Sequence, residues 1–160
     1  MTAQAQAIAS NGNGNAWKTL VYSAQFFFGG WFLFHGLNHW LQFFVQPSGS
    51  GQAMKDMIAV LIDSGLFDII KAMEVIGGAL FLANRFVPLG IIVSTPITLT
   101  IAYLNFTMGD SFGVVVGVIS VILNGLVCIG YLEHFLPALR YDCGDPSLDG
   151  LKKLLRGELK

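Results

Sequence analysis

Charged residues are absent from three long stretches of this sequence, and these stretches limit what the chain can fold into. No Asp, Glu, Lys or Arg occurs between Lys18 and Lys55, between Arg85 and Asp110, or between Asp110 and Glu133. A helix needs roughly 20 apolar residues to cross the hydrocarbon core of a bilayer. Because each stretch is long enough, the sequence predicts membrane-spanning helices.

The predicted fold class is all-α: an integral membrane four-helix bundle. A short interfacial helix is expected between the first two spans, at Met54–Ser64, because its apolar residues fall on one helical face. The second span is less apolar than the others, since it contains three charged residues. The four predicted spans are Thr19–Val45, Leu66–Asn84, Phe86–Phe106 and Phe112–Leu136.

Composition supports a membrane environment. Hydrophobic residues make up 54% of the chain and charged residues 12%, the latter about half the share in an ordinary soluble domain. A soluble domain of this size has too little interior to bury so much apolar surface. The net charge of -1 indicates no nucleic-acid partner, so the expected partner is the lipid bilayer. The spacing of Cys128 and Cys143 indicates neither a disulfide framework nor a metal site.

Three segments are expected along the chain. Residues 1–16 are predicted to be a disordered N-terminal tail, because they are polar and lack an apolar period. Residues 17–139 form the transmembrane domain, and residues 140–160 a basic cytoplasmic tail. A cleaved signal peptide is not expected, because the tail lacks a basic start and the first span is too long for a signal-peptide core.

The distribution of basic residues predicts the orientation, because cytoplasmic segments of membrane proteins carry an excess of Lys and Arg. Four spans place both termini and the hairpin at Asn84–Arg85 on one side, and Lys55 is the only basic residue expected on the other. We therefore expect a multi-pass protein of a bacterial-type inner (cytoplasmic) membrane, with both termini in the cytoplasm. The basic residues on the predicted cytoplasmic side are Lys18, Arg85, Arg140, Lys152, Lys153, Arg156 and Lys160.

Ionisable and amide side chains cluster within the predicted spans, where such residues usually mark a functional site. On the first span, one helical face carries polar residues at spacings of three and four, ending at Gln42. On the second span, charged residues recur over two turns, beginning at Asp68. At about 1.5 Å per residue, the two sets overlap in depth in the outer half of the membrane. The predicted ligand-binding or proton-handling site comprises His35, Asn38, His39, Lys71 and Glu74, with Asn105 at its edge beside Tyr103 and Asp110.

Three interpretations of this cluster remain open. Lys71 and Glu74 can form an internal ion pair while the other polar groups, with Asn124 of the fourth span, only join helices. The cluster can instead bind a small molecule such as a quinone, or exchange protons. Two histidines and Glu74 also supply a typical metal-ligand set, but the nearby Lys71 would compete with a cation, and no metal site is predicted.

Three segments of the sequence resemble the DoxX family of small four-helix membrane proteins. They are His35–Phe44 (HGLNHWLQFF), Lys71–Leu80 (KAMEVIGGAL) and Asn84–Gly90 (NRFVPLG), the last followed by Pro96. Their order and spacing match the family over roughly residues 21–137 and leave out both tails. His39 departs from the pattern by standing where Lys is usual, and Asn105 stands where many relatives have His.

The resemblance implies a four-span fold and a role beside membrane redox enzymes. The family takes its name from a subunit associated with quinol oxidase or thiosulfate:quinone oxidoreductase systems. We therefore expect an accessory or redox-associated subunit whose polar site meets a quinone or another lipid-soluble ligand, within a membrane redox complex or a homo-oligomer. The alternative is a non-enzymatic scaffold or assembly partner whose buried polar residues only fix helix packing. Neither interpretation assigns a catalytic residue.

Overall fold

The computed structural model describes residues 3–45, 49, 51–139, 152 and 155–157. Within these residues the chain forms five α-helices and two short 3-10 turns, with no β-strand. The all-α part of the predicted fold class is therefore confirmed. The α-helices are α1 (Ala3–Leu41), α2 (Gln52–Asp63), α3 (Leu66–Leu82), α4 (Val87–Met108) and α5 (Ser111–Gly130), and the turns are Leu132–His134 and Leu136–Leu139.

Helices occur where the sequence predicted them, but several boundaries differ. α1 begins at Ala3, within the segment 1–16 that was expected to be a disordered tail. Alanine and glutamine favour a helix over residues 3–9, but residues 10–15 are mainly Asn and Gly, which disfavour it, so propensity does not account for this start. α5 ends at Gly130, and the chain continues in 3-10 turns to the region where the fourth span was expected to end. The predicted tail 140–160 lies outside the described residues, apart from 152 and 155–157.

The first span ends earlier than predicted because the side chain of Asn38 holds a turn. Its Nδ2 donates to the carbonyl of Phe44 at 3.1 Å, and the Phe44 N–H donates to its Oδ1 at 2.9 Å. Gln42 has a φ of 51°, in the left-handed region that ends a helix. Gln42 therefore lies beyond α1 and does not continue the polar helical face to which the sequence assigned it.

Two helices, α4 and α5, are long and apolar enough to cross a membrane. α1 has the length, but amide and imidazole groups interrupt its apolar character. α3 has 17 residues, close to the lower limit of about 17 for a spanning helix, and it contains three charged residues. The membrane passage of α1 and α3 thus remains a prediction.

The four longer helices pack side by side in an antiparallel ring. α1 contacts α3, α3 contacts α4, α4 contacts α5, and α5 returns to α1, while α2 packs on α3 and α4. One end of the ring, here called the Asn84 end, brings Asn84 close to Gln25 and Tyr131. The opposite end, the Asp68 end, pairs Asp68 with His39.

An aromatic centre lies between the two ends. Phe28 of α1 and Phe81 of α3 are almost completely buried, and their ring centroids lie 5.7 Å apart. Phe32 lies 4.4 Å from Phe28, and Ile91 of α4 and Val127 of α5 belong to the same cluster. This apolar layer separates the polar groups at the Asn84 end from those at the Asp68 end.

α1 and α3 approach until their backbones touch, and glycine makes this approach possible. A Cβ atom at Gly78 would lie 2.5 Å from the backbone N of Leu33 and 2.7 Å from the carbonyl O of Gly29. A Cβ atom at Gly36 would lie 2.9 Å from the backbone N of Val75. Small residues at such crossings are how membrane helices gain close packing.

We expect Gly78→Ala to destabilise the bundle by about 1–3 kcal/mol, because the added methyl group must push two backbones apart. The measurement is the free energy of unfolding in mixed detergent micelles. Gly30→Ala is the matched control, since a Cβ atom there meets nothing within 4 Å and alanine favours the helix. Equal stability of the two variants would contradict the described α1–α3 contact.

Candidate functional site

The centre of the candidate site is an ion pair on α3. The Nζ atom of Lys71 lies 2.9 Å from Oε1 and 2.8 Å from Oε2 of Glu74. Both residues are buried, with exposed fractions of 6% for Lys71 and 3% for Glu74. The spacing of three residues along a helix places the two side chains on the same face. The ammonium group therefore neutralises the carboxylate inside the bundle.

An aromatic ring also faces the ammonium group. The Nζ atom of Lys71 lies 5.2 Å from the ring centroid of Phe67, within the range of a cation–π interaction. Phe67 is itself buried and its ring lies 5.2 Å from that of His39. Lys71 is thus held from two sides, by the Glu74 carboxylate and by a ring that connects it to α1.

A second ionisable pair lies closer to the Asp68 end. Nε2 of His39 on α1 lies 2.5 Å from Oδ1 of Asp68 on α3. The side chain of Asp68 is 62% exposed, whereas that of His39 is 18% exposed. Asp68 and His39 therefore form a second pair that joins α1 to α3 and is more exposed than Lys71 and Glu74.

His35 lies on α1 one turn before His39, and its side chain is surrounded by aromatic rings. Its ring centroid lies 4.3 Å from that of Trp31 and 5.1 Å from that of Phe44. The imidazole is half-buried. Within the described part of the chain, its contacts are with rings, and no hydrogen bond reaches its ring nitrogens. His35 can therefore still offer a donor and an acceptor to a ligand.

Two residues predicted for the site have other contacts. Asn38 is buried on the same helix as the histidines, but its amide holds the backbone of Phe44 at the end of α1. Asn105 donates to the carbonyl of Ile101 at 2.9 Å on its own helix, and its side chain packs over Gly113 at the start of α5. The structure thus brings His35, His39, Lys71 and Glu74 together, and places Asn105 at the α4–α5 turn.

Sequence reasoning missed a polar network at the Asn84 end. Gln25 is fully buried, and its Nε2 donates to the carbonyl of Phe81 at 2.8 Å and to Oδ1 of Asn84 at 3.0 Å. The hydroxyl of Tyr131 donates to Oε1 of Gln25 at 2.7 Å. Gln25 is the only amide side chain between Lys18 and His35. An isolated amide in an apolar stretch is the sequence feature that could have indicated this network. The network joins α1, the turn between α3 and α4, and the end of α5.

Asn124 joins α4 and α5, as the sequence predicted. Its Nδ2 donates to Oγ of Ser94 at 3.0 Å, and the hydroxyl of Thr95 donates to its Oδ1 at 3.1 Å. Among the described residues, every buried side-chain nitrogen and oxygen has a hydrogen-bond partner. Polar burial in the bundle is therefore compensated, as a low-dielectric interior requires.

A cavity of about 120 Å³ lies between α1 and α5 rather than at the ion pair. Apart from Ser120, apolar side chains line it, and the Ser120 hydroxyl already donates to the carbonyl of Val116. In the described part of the chain, no group of three or more His, Cys, Asp or Glu side chains is placed to hold a metal ion. The residues that line this cavity do not include Lys71 or Glu74, which are buried and bonded to each other.

We expect Tyr131→Phe to lower the free energy of unfolding by about 1–3 kcal/mol, because it leaves the buried Oε1 of Gln25 without its donor. Chemical unfolding in mixed micelles gives this value. Tyr103→Phe is the control, since Tyr103 is 65% exposed and its change should be close to zero. A Tyr131→Phe variant as stable as this control would contradict the network.

The site combines groups that exchange protons with groups that donate hydrogen bonds. Glu74 and the two histidines can take up or release a proton, and Lys71 can donate to an oxygen atom once its carboxylate partner is neutral. Trp31 and Phe44 supply flat apolar surface beside His35.

Comparison with family models, curated proteins and solved structures gave no match to this chain.

Proposed function

We propose that this chain is a four-span integral membrane protein similar to the DoxX family, with α1, α3, α4 and α5 crossing the membrane. α2 then lies at the outer surface, and the Asn84 end faces the cytoplasm of a bacterial-type cell. The lengths of α4 and α5 support this arrangement. Lys18 and Arg85 belong to the Asn84 end and are exposed. Their position supports a cytoplasmic Asn84 end, because cytoplasmic segments carry an excess of basic residues.

The proposed role is that of an accessory or redox-associated subunit that binds a lipid-soluble ligand at Lys71 and Glu74. A quinone is the leading candidate ligand, and the partner is a membrane redox complex or a second copy of the chain. The observation that carries this proposal is the burial of the Lys71–Glu74 pair, which has 2.8 and 2.9 Å contacts. Replacing a buried ion pair by apolar residues is often neutral or stabilising, so packing alone does not account for it.

Ligand binding at this site requires a change in charge. While Glu74 is ionised, both of its oxygens accept hydrogen bonds from Lys71. Protonation of Glu74 removes that attraction and frees the ammonium group to donate to a carbonyl oxygen of a ligand. His35 supplies a second hydrogen-bonding group, and the ring of Trp31 at 4.3 Å from it offers a stacking surface. Binding and proton uptake are therefore coupled in this mechanism.

A second candidate function is a non-enzymatic scaffold or assembly partner. It is favoured by the complete pairing of the buried side-chain nitrogens and oxygens among the described residues. In this alternative, Lys71 and Glu74 only hold the helices in register. The two functions differ in one respect that can be measured, because only the first requires a bound small molecule.

Mass spectrometry of the gently purified protein in nanodiscs tests the proposal by identifying the small molecules that remain bound. We expect a quinone or a similar lipid-soluble molecule at close to one per chain, and its loss in Glu74→Gln. Glu133→Gln is the matched control, because Glu133 is an exposed carboxylate at the Asn84 end. If only bulk lipid remains bound to the wild-type protein, the scaffold function replaces the first proposal.

A further inference from the structure

The cavity between α1 and α5, here called the α1–α5 cavity, is open on its outer side. Phe28 and Ser120 on its inner side are buried, whereas Phe27, Trp31 and Ile119 on its outer side are between 40% and 60% exposed. In the proposed arrangement both helices cross the membrane, so the open side faces the hydrocarbon of the bilayer. A molecule dissolved in the membrane can therefore enter this cavity sideways.

The lining of the α1–α5 cavity favours an apolar occupant. Ser120 supplies its one hydroxyl group, which already donates to the carbonyl of Val116 at 2.8 Å on the same helix. Apolar cavities of similar size stay dry and accept small hydrocarbons, and an empty cavity deprives its lining atoms of packing contacts. The volume of about 120 Å³ therefore fits a segment of a hydrocarbon chain.

His35 continues the row of α1 side chains that lines the cavity. Phe27, Trp31 and His35 follow one another at intervals of four residues, so they lie on one face of the helix. The ring centroids of Trp31 and His35 are 4.3 Å apart. Within the described residues, no hydrogen bond reaches the ring nitrogens of His35. An occupant that extends from the cavity past Trp31 therefore meets a hydrogen-bonding group.

The depth of His35 distinguishes this occupant from an ordinary phospholipid. His35 lies six residues before Leu41, the last residue of α1, which is about 9 Å along the helix axis. Phospholipid headgroups lie outside the hydrocarbon core, and carrying their charge inward would be costly. A head that reaches His35 therefore belongs to a molecule with a small, uncharged polar group, and a quinone has this form.

We propose that the α1–α5 cavity binds the hydrocarbon chain of an uncharged lipid-soluble ligand whose oxygen-bearing head lies at His35. The proposal deepens the proposed function and rests on it, because the head is the part of the ligand that the proposed function assigns to Lys71 and Glu74. Gly36, the residue after His35, lies against the carbonyl of Lys71, where a Cβ atom would be 3.0 Å away. The head site and the chain site are therefore adjacent along α1.

Binding of the chain depends on its fit to the cavity. A chain that enters from the bilayer gains nothing from the hydrophobic effect, because lipid tails are as apolar as the cavity. The gain comes from contacts with the lining side chains, among them the stacked rings of Phe27 and Trp31, whose centroids lie 6.5 Å apart. A side chain that fills the cavity should therefore weaken binding of the chain and spare binding of the head.

Equilibrium binding of two probes to the full-length protein in nanodiscs tests this site. One probe is a fully substituted benzoquinone with a decyl chain, and the other has a methyl group in place of that chain. We expect Ser120→Leu, which fills the cavity, to weaken binding of the decyl probe by about fivefold or more and to leave the methyl probe within about twofold. Ser23→Leu is the matched control, since Ser23 is exposed on α1 and does not line the cavity.

Phe27→Ala provides a second variant, because it removes one wall of the cavity while its exposed side chain contributes little to the core. It should also weaken only the decyl probe, and Phe106→Ala, which changes a 72% exposed ring on α4, is its control. If both cavity variants bind the decyl probe as tightly as their controls while Glu74→Gln weakens both probes, the chain site is wrong and the proposed function stands. If the wild-type protein binds neither probe above the level of protein-free nanodiscs, both are overturned.

Discussion

Burial of the Lys71–Glu74 pair is the constraint on which the rest of this structure depends. Each charge alone would be costly in an apolar bundle, so the two must remain together and be enclosed by other groups. Lys71 is enclosed by both carboxylate oxygens and the ring of Phe67. The carbonyl of Lys71 lies against Gly36, where a Cβ atom would be 3.0 Å away. The α1–α3 crossing therefore passes directly beside the residue that carries the ammonium group of the pair.

The two ends of the bundle contain different kinds of polar side chain. At the Asn84 end, Gln25, Asn84 and Tyr131 form a neutral network that fixes helix positions. At the Asp68 end, the polar groups are ionisable and range from exposed to buried. A neutral network is sufficient for packing, whereas ionisable side chains can also take up or release protons. This difference places the proposed chemistry at one end only.

The helices were predictable because their signals are local. The gaps between charged residues predicted α4 and α5, and the one-sided apolar pattern of Met54–Ser64 predicted α2. The pairing of Lys71 with Glu74 followed from their helical spacing. The contact of His39 with Asp68 was not predicted, because Asp68 was not assigned to the site. The role of Asn38 was not predictable, because it depends on the turn that returns to Phe44. Gln25 was missed for a similar reason, since its partners lie on distant parts of the chain.

The central claim, that Lys71 and Glu74 are coupled charges inside the bundle, is tested most directly by a double-mutant cycle. Unfolding free energies in mixed micelles would be measured for Lys71→Met, Glu74→Leu and the double variant. Each single change should cost about 3–5 kcal/mol because it leaves one buried charge unpaired, and the double change should cost much less than their sum. Single changes of less than about 0.5 kcal/mol that add in the double variant would contradict the account, because exposed, independent residues behave in that way.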